Sequence, residues 1–236
     1  MALYRDQGII LRTYKLGESD RIISFITERH GKVRAVAKGI RKTKSKFGSR
    51  LDPTSHVALQ LYEGRELDIV TQAETLDNFR TIREDLDRLT RAVTMLEAVD
   101  QLSLEREPNP GLYRMLLGAL RALAANNGPL VVAGFHWKVL ALEGFRPHVE
   151  SCVTCQEEDG LVAFDPAEGG LLCNDHRRGT RLSAEAVELL QQILCGQLGR
   201  ALEAPPSPAT HEVDHLATRV MEHHLERRLR SVGLLD

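Results

Sequence analysis

Five short runs of strand-forming residues follow one another at the start of the chain, and their spacing is the strongest constraint on the fold. The runs are residues 8–14, 21–27, 32–38, 56–62 and 67–71. Each alternates apolar with polar residues or is rich in Ile and Val, as is typical of short strands. A parallel pair needs a crossover of about a dozen residues or more, and five strands within about 75 residues leave no room for a crossover helix. The spacing therefore predicts a small antiparallel barrel, and an OB-fold fits this strand count.

A basic segment lies within this predicted barrel. Nine Lys and Arg residues occur between positions 29 and 51, and no Asp or Glu does. Because the whole chain has a net charge of −2, removing these nine positive charges leaves −11 on the remainder. Confinement of positive charge to one segment favours a polyanionic partner, and the alternative is a solvated basic loop. The candidate phosphate contacts are Lys32, Arg34 and Lys38 on one strand face, and Arg41, Lys42, Lys44, Lys46 and Arg50 in a loop spaced by small polar residues.

Aromatic rings can add base stacking to such a surface, as in many OB-folds. The available rings are Tyr14, Phe25, Phe47 and Tyr62. Since only 5% of the chain is aromatic, each ring is more typical of core or surface packing than of a base platform. We therefore expect electrostatic contact with the nucleic-acid backbone to dominate binding. Cation spacing alone does not separate DNA from RNA, because it cannot report a 2′-hydroxyl.

After position 78 the apolar period changes to that of helices. Phe79, Ile82, Leu86, Leu89, Val93 and Leu96 predict one long amphipathic helix, and later apolar stripes predict further helices. The sequence thus predicts an α+β protein, with an OB-fold domain at residues 1–78 and a helical domain at residues 79–236. A zinc-knuckle insertion is predicted at about residues 148–180 of the second domain.

Two short cysteine-containing turns give the strongest chemical signal. Cys152 and Cys155 are followed, after seventeen residues, by Cys173 and His176. Three thiolates and one imidazole form a standard tetrahedral zinc set, and four protein ligands leave no open position for catalysis. We therefore predict one structural Zn²⁺ ion, with His148 as a competing fourth ligand. Cys195 lies apart beside an apolar run and is predicted to be a core residue.

A second histidine pattern lies near the end of the chain. His211, Glu212 and His215 satisfy the H-E-x-x-H pattern of zinc hydrolases. The longer spacing of one such class would place a third histidine at position 221, where Met221 stands. An amphipathic helix with Ser207 as its cap explains the segment more simply. A zinc hydrolase remains the alternative from another functional class, and no catalytic residue is predicted.

The start of the chain and the cysteine distribution bear on its location. Met1 is followed by Ala-Leu-Tyr-Arg-Asp, which is unlike a secretory signal, and no apolar run is long enough to span a membrane. The four cysteines are too clustered for a disulfide framework. These features predict a cytoplasmic protein.

Several segments together resemble the bacterial RecO family of recombination mediators. They are residues 17–20 (GESD), 37–39 (AKG), 144–147 (GFRP) and 169–173 (GGLLC), and the resemblance covers nearly the whole chain. It implies an OB-fold and a helical domain with a zinc knuckle in a non-enzymatic, nucleoid-associated protein. Such a protein would bind single-stranded and double-stranded DNA, anneal complementary strands, and act with RecR to load RecA onto DNA covered by single-strand-binding protein. RecF is a further candidate partner. Metal-bearing members carry cysteine at the fourth ligand position, where this chain has His176.

Overall fold

The amino-terminal strands close into a barrel in a computed structural model that describes residues 2–229. The strands are β1 (Leu3–Leu16), β2 (Asp20–Thr27), β3 (Lys32–Ala37), β4 (His56–Tyr62) and β5 (Asp68–Asp77). They are hydrogen-bonded in the order β1-β2-β3-β5-β4, and β4 returns to β1. Every pairing is antiparallel except the short parallel contact between β3 and β5. The predicted barrel of the OB type is confirmed.

Strand β1 is longer than predicted because it serves two neighbours. Its first half, from Leu3 to Ile9, pairs with β4, and its second half, from Gly8 to Leu16, pairs with β2. The register shifts between Ile10 and Arg12, and such a bulge lets a strand bend from one partner to the next. The strand therefore holds both sides of the barrel together.

The barrel core contains side chains from the strands and from the segment after β3. Buried strand residues include Ile10, Ile23, Phe25, Val33, Ala35, Ala37, Val57, Leu59, Leu61 and Val70. Ile40, Phe47 and Leu51 join the same cluster, although they lie in the predicted basic loop. The alternation of β3 is as predicted, because Val33, Ala35 and Ala37 point inward.

Three helices follow the barrel: α1 (Arg80–Arg83), α2 (Leu86–Leu102) and α3 (Pro110–Ala125). The prediction of one continuous helix from Phe79 is wrong. Asp85 adopts an extended conformation and its carboxylate accepts a hydrogen bond from the Arg88 amide, so it caps a new helix. Leu86, predicted to be buried, is 80% exposed. The buried face of α2 begins at Thr90 and Ala92.

Residues 126–229 combine four helices with a small sheet. These elements are α4 (Val131–Leu142), β6 (Leu161–Asp165), β7 (Gly170–Cys173), β8 (Thr180–Arg181), α5 (Ala184–Leu194), α6 (Leu198–Leu202) and α7 (Pro208–His224). The sheet order is β7-β6-β8. Helix α4 is buried on nearly every side, and the ring of Trp137 packs edge-on against Phe164 at 5.6 Å between centroids.

Contacts divide the chain into two compact units. One contains the barrel and the helices up to Ala125, together with Leu229, and the other contains Asn126–Arg228. The domain boundary after residue 78, which was inferred from the sequence, remains a prediction. Within residues 2–229, no helix has the length and apolarity needed to cross a bilayer.

His136 of α4 links the stability of the second unit to pH. The ring is fully buried, and neither of its nitrogens has a hydrogen-bond partner among residues 2–229. Burial lowers the pKa of His136 from 6.5 to about 4. Below pH 6.5, the unfolded chain therefore binds a proton at His136 that the folded chain does not bind. The free energy of unfolding decreases as the pH falls from 6.5 towards 4.

We expect His136→Leu to reduce this pH dependence. A pKa difference of this size corresponds to at most about 3 kcal/mol, and part of it is reached by pH 5. The measurement is urea unfolding of both proteins at pH 7 and pH 5. The parent is expected to lose more stability than the variant between the two values. Equal losses would show that His136 is not the responsible group.

Candidate nucleic-acid surface and metal centre

Two of the predicted phosphate contacts on β3 face helix α2 and the segment after it. The Lys32 ammonium lies 3.7 Å from an Asp100 carboxylate oxygen and donates to the Asp100 carbonyl oxygen at 2.5 Å. Only 15% of the Lys32 side chain is exposed. Arg34 is exposed but lies 3.3 Å from the carboxylate of Glu105. The charge of both residues is thus balanced within the protein.

Arg12 of β1 extends this set of ion pairs. Its guanidinium lies 3.1 Å from Glu97 and 3.3 Å from Asp100. Burial alone would lower the pKa of Arg12, but its hydrogen bond with Tyr14 and the nearby carboxylates raise it. These contacts join strands β1 and β3 to the carboxyl-terminal half of α2. These ion pairs were not predicted from the sequence, because ion pairs between distant segments leave no local pattern.

The cations after β3 have a different environment. The side chains of Lys38, Arg41, Lys42, Lys44, Lys46 and Arg50 are all exposed. Lys46 donates to the Thr71 carbonyl at 2.9 Å, and Arg50 donates to the Lys46 carbonyl at 2.9 Å. Bonds to carbonyl groups orient these side chains without neutralising them. None of the six forms an ion pair with a carboxylate in the part of the chain that the structure describes.

This basic loop, residues 38–50, is anchored at several points. Ile40, Phe47 and Leu51 insert into the barrel core, and a short 3-10 turn spans Gly48–Leu51. The Lys46 ammonium lies 5.0 Å from the centre of the Phe47 ring. The loop is therefore held to the barrel near its start and at its end. Isolated apolar residues within a basic run were the available signal for these anchors.

The four rings considered for base stacking differ in their exposure to solvent. Phe25 and Phe47 are buried in the barrel core, which excludes them as stacking platforms. Tyr14 and Tyr62 remain 46% and 38% exposed. Two of the four rings are thus accessible at the protein surface, and two are not.

The predicted metal ligands come together in the second unit. The ligand atoms of Cys152, Cys155, Cys173 and His176 all lie within 4.8 Å of one another. The Sγ atoms of Cys155 and Cys173 are 3.7 Å apart, and Nδ1 of His176 lies 3.3 Å from Sγ of Cys173. Two sulfurs bound at about 2.3 Å to one tetrahedral zinc would lie about 3.8 Å apart. The donor set and its spacing therefore fit one zinc ion.

Local backbone structure presents these ligands. A tight turn after Cys152 is closed by the Gln156 amide, which donates to the Cys152 carbonyl at 2.8 Å. Strand β7 ends at Cys173, and a 3-10 turn then carries His176 back towards it. Burial alone would raise the pKa of the Cys152 thiol, but three backbone N–H groups, including that of Cys173, lower it to about 6. The backbone around Cys152 thus favours the thiolate form of this one ligand, the form that metal binding requires.

His148, the competing fourth ligand, and Cys195 lie outside this cluster. Nε2 of His148 lies 2.7 Å from the Ser151 hydroxyl. Cys195 is exposed at the end of α5, so its prediction as a core residue is wrong.

The H-E-x-x-H segment lies on α7 without a metal site. His211 and His215 are exposed, and the Glu212 carboxylate accepts a hydrogen bond from the Ser183 amide at 2.7 Å. Among residues 2–229, the cysteine and histidine cluster at Cys152 is the only group of three or more such ligands close enough to hold a metal. A capping box of Ser207 and Thr210 begins α7, as expected for an ordinary amphipathic helix.

Comparison with known proteins identifies the family of this chain. Residues 1–79 match the family model described as "Recombination protein O N terminal", and residues 83–232 match "Recombination protein O C terminal". The chain is 40% identical to "DNA repair protein RecO" of Cutibacterium acnes, with all of both chains covered. It is 42% identical to the protein of the same name from a Nocardioides species, with 99% of each chain covered. The chain belongs to the recombination protein O family.

Proposed function

We propose that this protein acts in DNA repair and homologous recombination by binding DNA through the basic loop. The observation that carries the proposal is a loop held to the barrel by Ile40, Phe47 and Leu51, with six exposed cations that form no ion pair with a carboxylate of residues 2–229. Such a surface neutralises phosphates, and contacts with phosphates carry no sequence information. Binding is therefore independent of sequence and accommodates single-stranded and duplex DNA. Strand annealing follows from bringing two neutralised strands together.

Within this surface, the loop and the strand have different roles. Lys38, Arg41, Lys42, Lys44, Lys46 and Arg50 make the phosphate contacts. Lys32 and Arg34 border the surface and chiefly hold α2 and the segment after it against the barrel, because their charges are already paired.

The metal centre has a structural role in this proposal. Zinc bound by Cys152, Cys155, Cys173 and His176 has four protein ligands and no position for substrate. It joins the turn at Cys152 to the end of β7 and so stabilises the small sheet. The protein carries out no covalent chemistry, and no catalytic residue is assigned.

The proposed partners follow from family membership. RecR and single-strand-binding protein are the expected protein partners, with RecF as a third, and the complex would help load RecA onto coated single strands. The expected location is the cytoplasm, in association with the nucleoid. An RNA-binding role for the same barrel is the competing proposal, because phosphate contacts are common to both nucleic acids.

Fluorescence polarisation at two salt concentrations tests the proposal. Single-stranded DNA, duplex DNA and RNA of equal length are titrated with the full chain. We expect both DNA forms to bind, with an affinity that falls as salt rises and is equal for unrelated base sequences. Binding of RNA alone would favour the competing role. Absence of binding to any nucleic acid would contradict the proposal.

A further inference from the structure

The turn between β1 and β2 is hydrogen-bonded to the start of the basic loop. One oxygen of Asp20, Oδ1, accepts from the Gly39 amide at 2.7 Å and from the Ser19 hydroxyl at 2.8 Å. The Ser19 carbonyl accepts from the Arg41 amide at 2.9 Å. The Arg41 guanidinium then returns to the Gly17 carbonyl at 3.3 Å. Both strand ends are thereby joined outside the regular barrel pairing.

The loop conformation at this point needs such support. Gly39 has a φ of +68°, and the Lys42 amide donates to its carbonyl at 3.1 Å, so the chain turns sharply as it leaves β3. The Asp20 hydrogen bond satisfies the Gly39 amide at the start of this turn. Hydrogen bonds from Gly39 and then Ser19 lower the pKa of Asp20, which keeps the carboxylate ionised.

A carboxylate here is electrostatically unfavourable for binding an anion. Asp20 lies close enough to Lys38 and Lys42 for both to interact with its charge. Its negative charge opposes phosphate binding, whereas its hydrogen bonds fix the loop that carries the cations. Preorganising a binding loop raises affinity because less conformational entropy is lost on binding.

We propose that Ser19 and Asp20 are positioning residues for DNA binding, which hold the basic loop in its binding conformation through the amides of Gly39 and Arg41. This inference rests on the proposed function of the loop. If this is so, two substitutions that remove the same negative charge have different effects on DNA binding. Asp20→Asn keeps an acceptor oxygen, while Asp20→Ala removes it.

The exposed carboxylate of Glu18 provides a matched control. It lies two residues away on the same turn and accepts no hydrogen bond within residues 2–229. We expect Asp20→Ala to bind single-stranded DNA about tenfold more weakly than the parent, with a smaller salt dependence. Asp20→Asn and Glu18→Ala are expected to bind at least as tightly as the parent. Hydrogen exchange at the Gly39 and Arg41 amides is expected to accelerate in Asp20→Ala alone, while the barrel amides remain protected.

Two results would overturn the inference. Equal binding by Asp20→Ala and Glu18→Ala would show that the Asp20 carboxylate acts only as a charge, and equal weakening by Asp20→Asn would exclude the acceptor role. If Asp20→Ala does not fold, Ser19→Ala decides: we expect binding about twofold to threefold weaker, and parent-like binding would reject the inference. Failure of the proposed function is distinguishable, because removing the cations of the basic loop would then leave DNA binding unchanged.

Discussion

Replacing Arg41, Lys42, Lys44 and Lys46 together with Ala is expected to abolish most DNA binding and leave the protein folded. Removing one cation that neutralises a phosphate of a single strand flattens the salt slope by about 0.7, so removing four corresponds to about 2.8. Extrapolated from 1 M salt, this amounts to roughly 600-fold weaker binding at 0.1 M. The four side chains are exposed, so the free energy of unfolding is expected to change by no more than about 1 kcal/mol. Polarisation titrations over a range of salt concentrations, with thermal unfolding alongside, provide the measurement.

The double variant Lys32→Ala, Arg34→Ala is the matched control for charge removal on the same barrel. Lys32 and Arg34 are paired with Asp100 and Glu105, so their replacement is expected to lower the unfolding temperature and leave the salt slope nearly unchanged. A slope reduced by about 1.4 would instead show that both strand cations contact phosphate. If the loop variant bound DNA like the parent, the DNA site would lie elsewhere.

Loss of one zinc ligand is expected to have a comparably large effect on the second unit. Protein purified without chelator is expected to contain one zinc per chain, and Cys155→Ser is expected to contain none. Binding of structural zinc contributes roughly 10–16 kcal/mol to the folding of small zinc domains, so the region around Cys152 and β7 is expected to lose its order. Elemental analysis gives the metal content, and hydrogen exchange reports the order of β6, β7 and β8. The barrel has its own core, and its amides are expected to stay protected.

Histidine variants identify the fourth ligand. His176→Ala is expected to lose the metal and His148→Ala to retain it, because only His176 lies within the ligand cluster. The reverse result would reassign the ligand. Metal-free parent protein would contradict the zinc proposal. A second zinc that is lost on His215→Ala, together with peptidase activity, would establish the hydrolase alternative.

The barrel and the metal cluster were predictable for different physical reasons. Strands β3 and β4 carry a clear period of two, because one face of each meets the core, whereas β2 was predictable from its run of strand-forming residues, which is buried from Ile23 to Thr27. The Cys152 cluster was predictable from spacing, since two short turns can bring four ligands to one ion. The strand ends were less predictable. Several of the added residues of β1 and β5, such as Arg5 and Glu74, are exposed and polar, so their backbone pairing is what places them in the sheet.

Tertiary contacts decided the remaining features. The break before α2 depends on the extended conformation of Asp85, which an apolar period running through Leu86 conceals. Whether a lysine in a basic run is available to DNA depends on its neighbours in space. Lys32 forms an ion pair with Asp100, which is 68 positions away, whereas Lys44 and Lys46 form no ion pair in the described chain. Local sequence gives these three lysines the same character.

The parallel contact between β3 and β5 has a consequence for how this family can vary. It consists of only two residue pairs, Ala35 with Asp68 and Val36 with Ile69. Phe47 and Leu51 contribute to the core that includes Val70 of β5, and Lys46 bonds to Thr71 of that strand. The basic loop thus completes a wall of the barrel. Most surface loops tolerate changes in length, but deleting this one would expose the core. Insertions are therefore expected only at the exposed residues 43–44, which lie after the hydrogen-bonded amides of Arg41 and Lys42 and before the anchor Phe47.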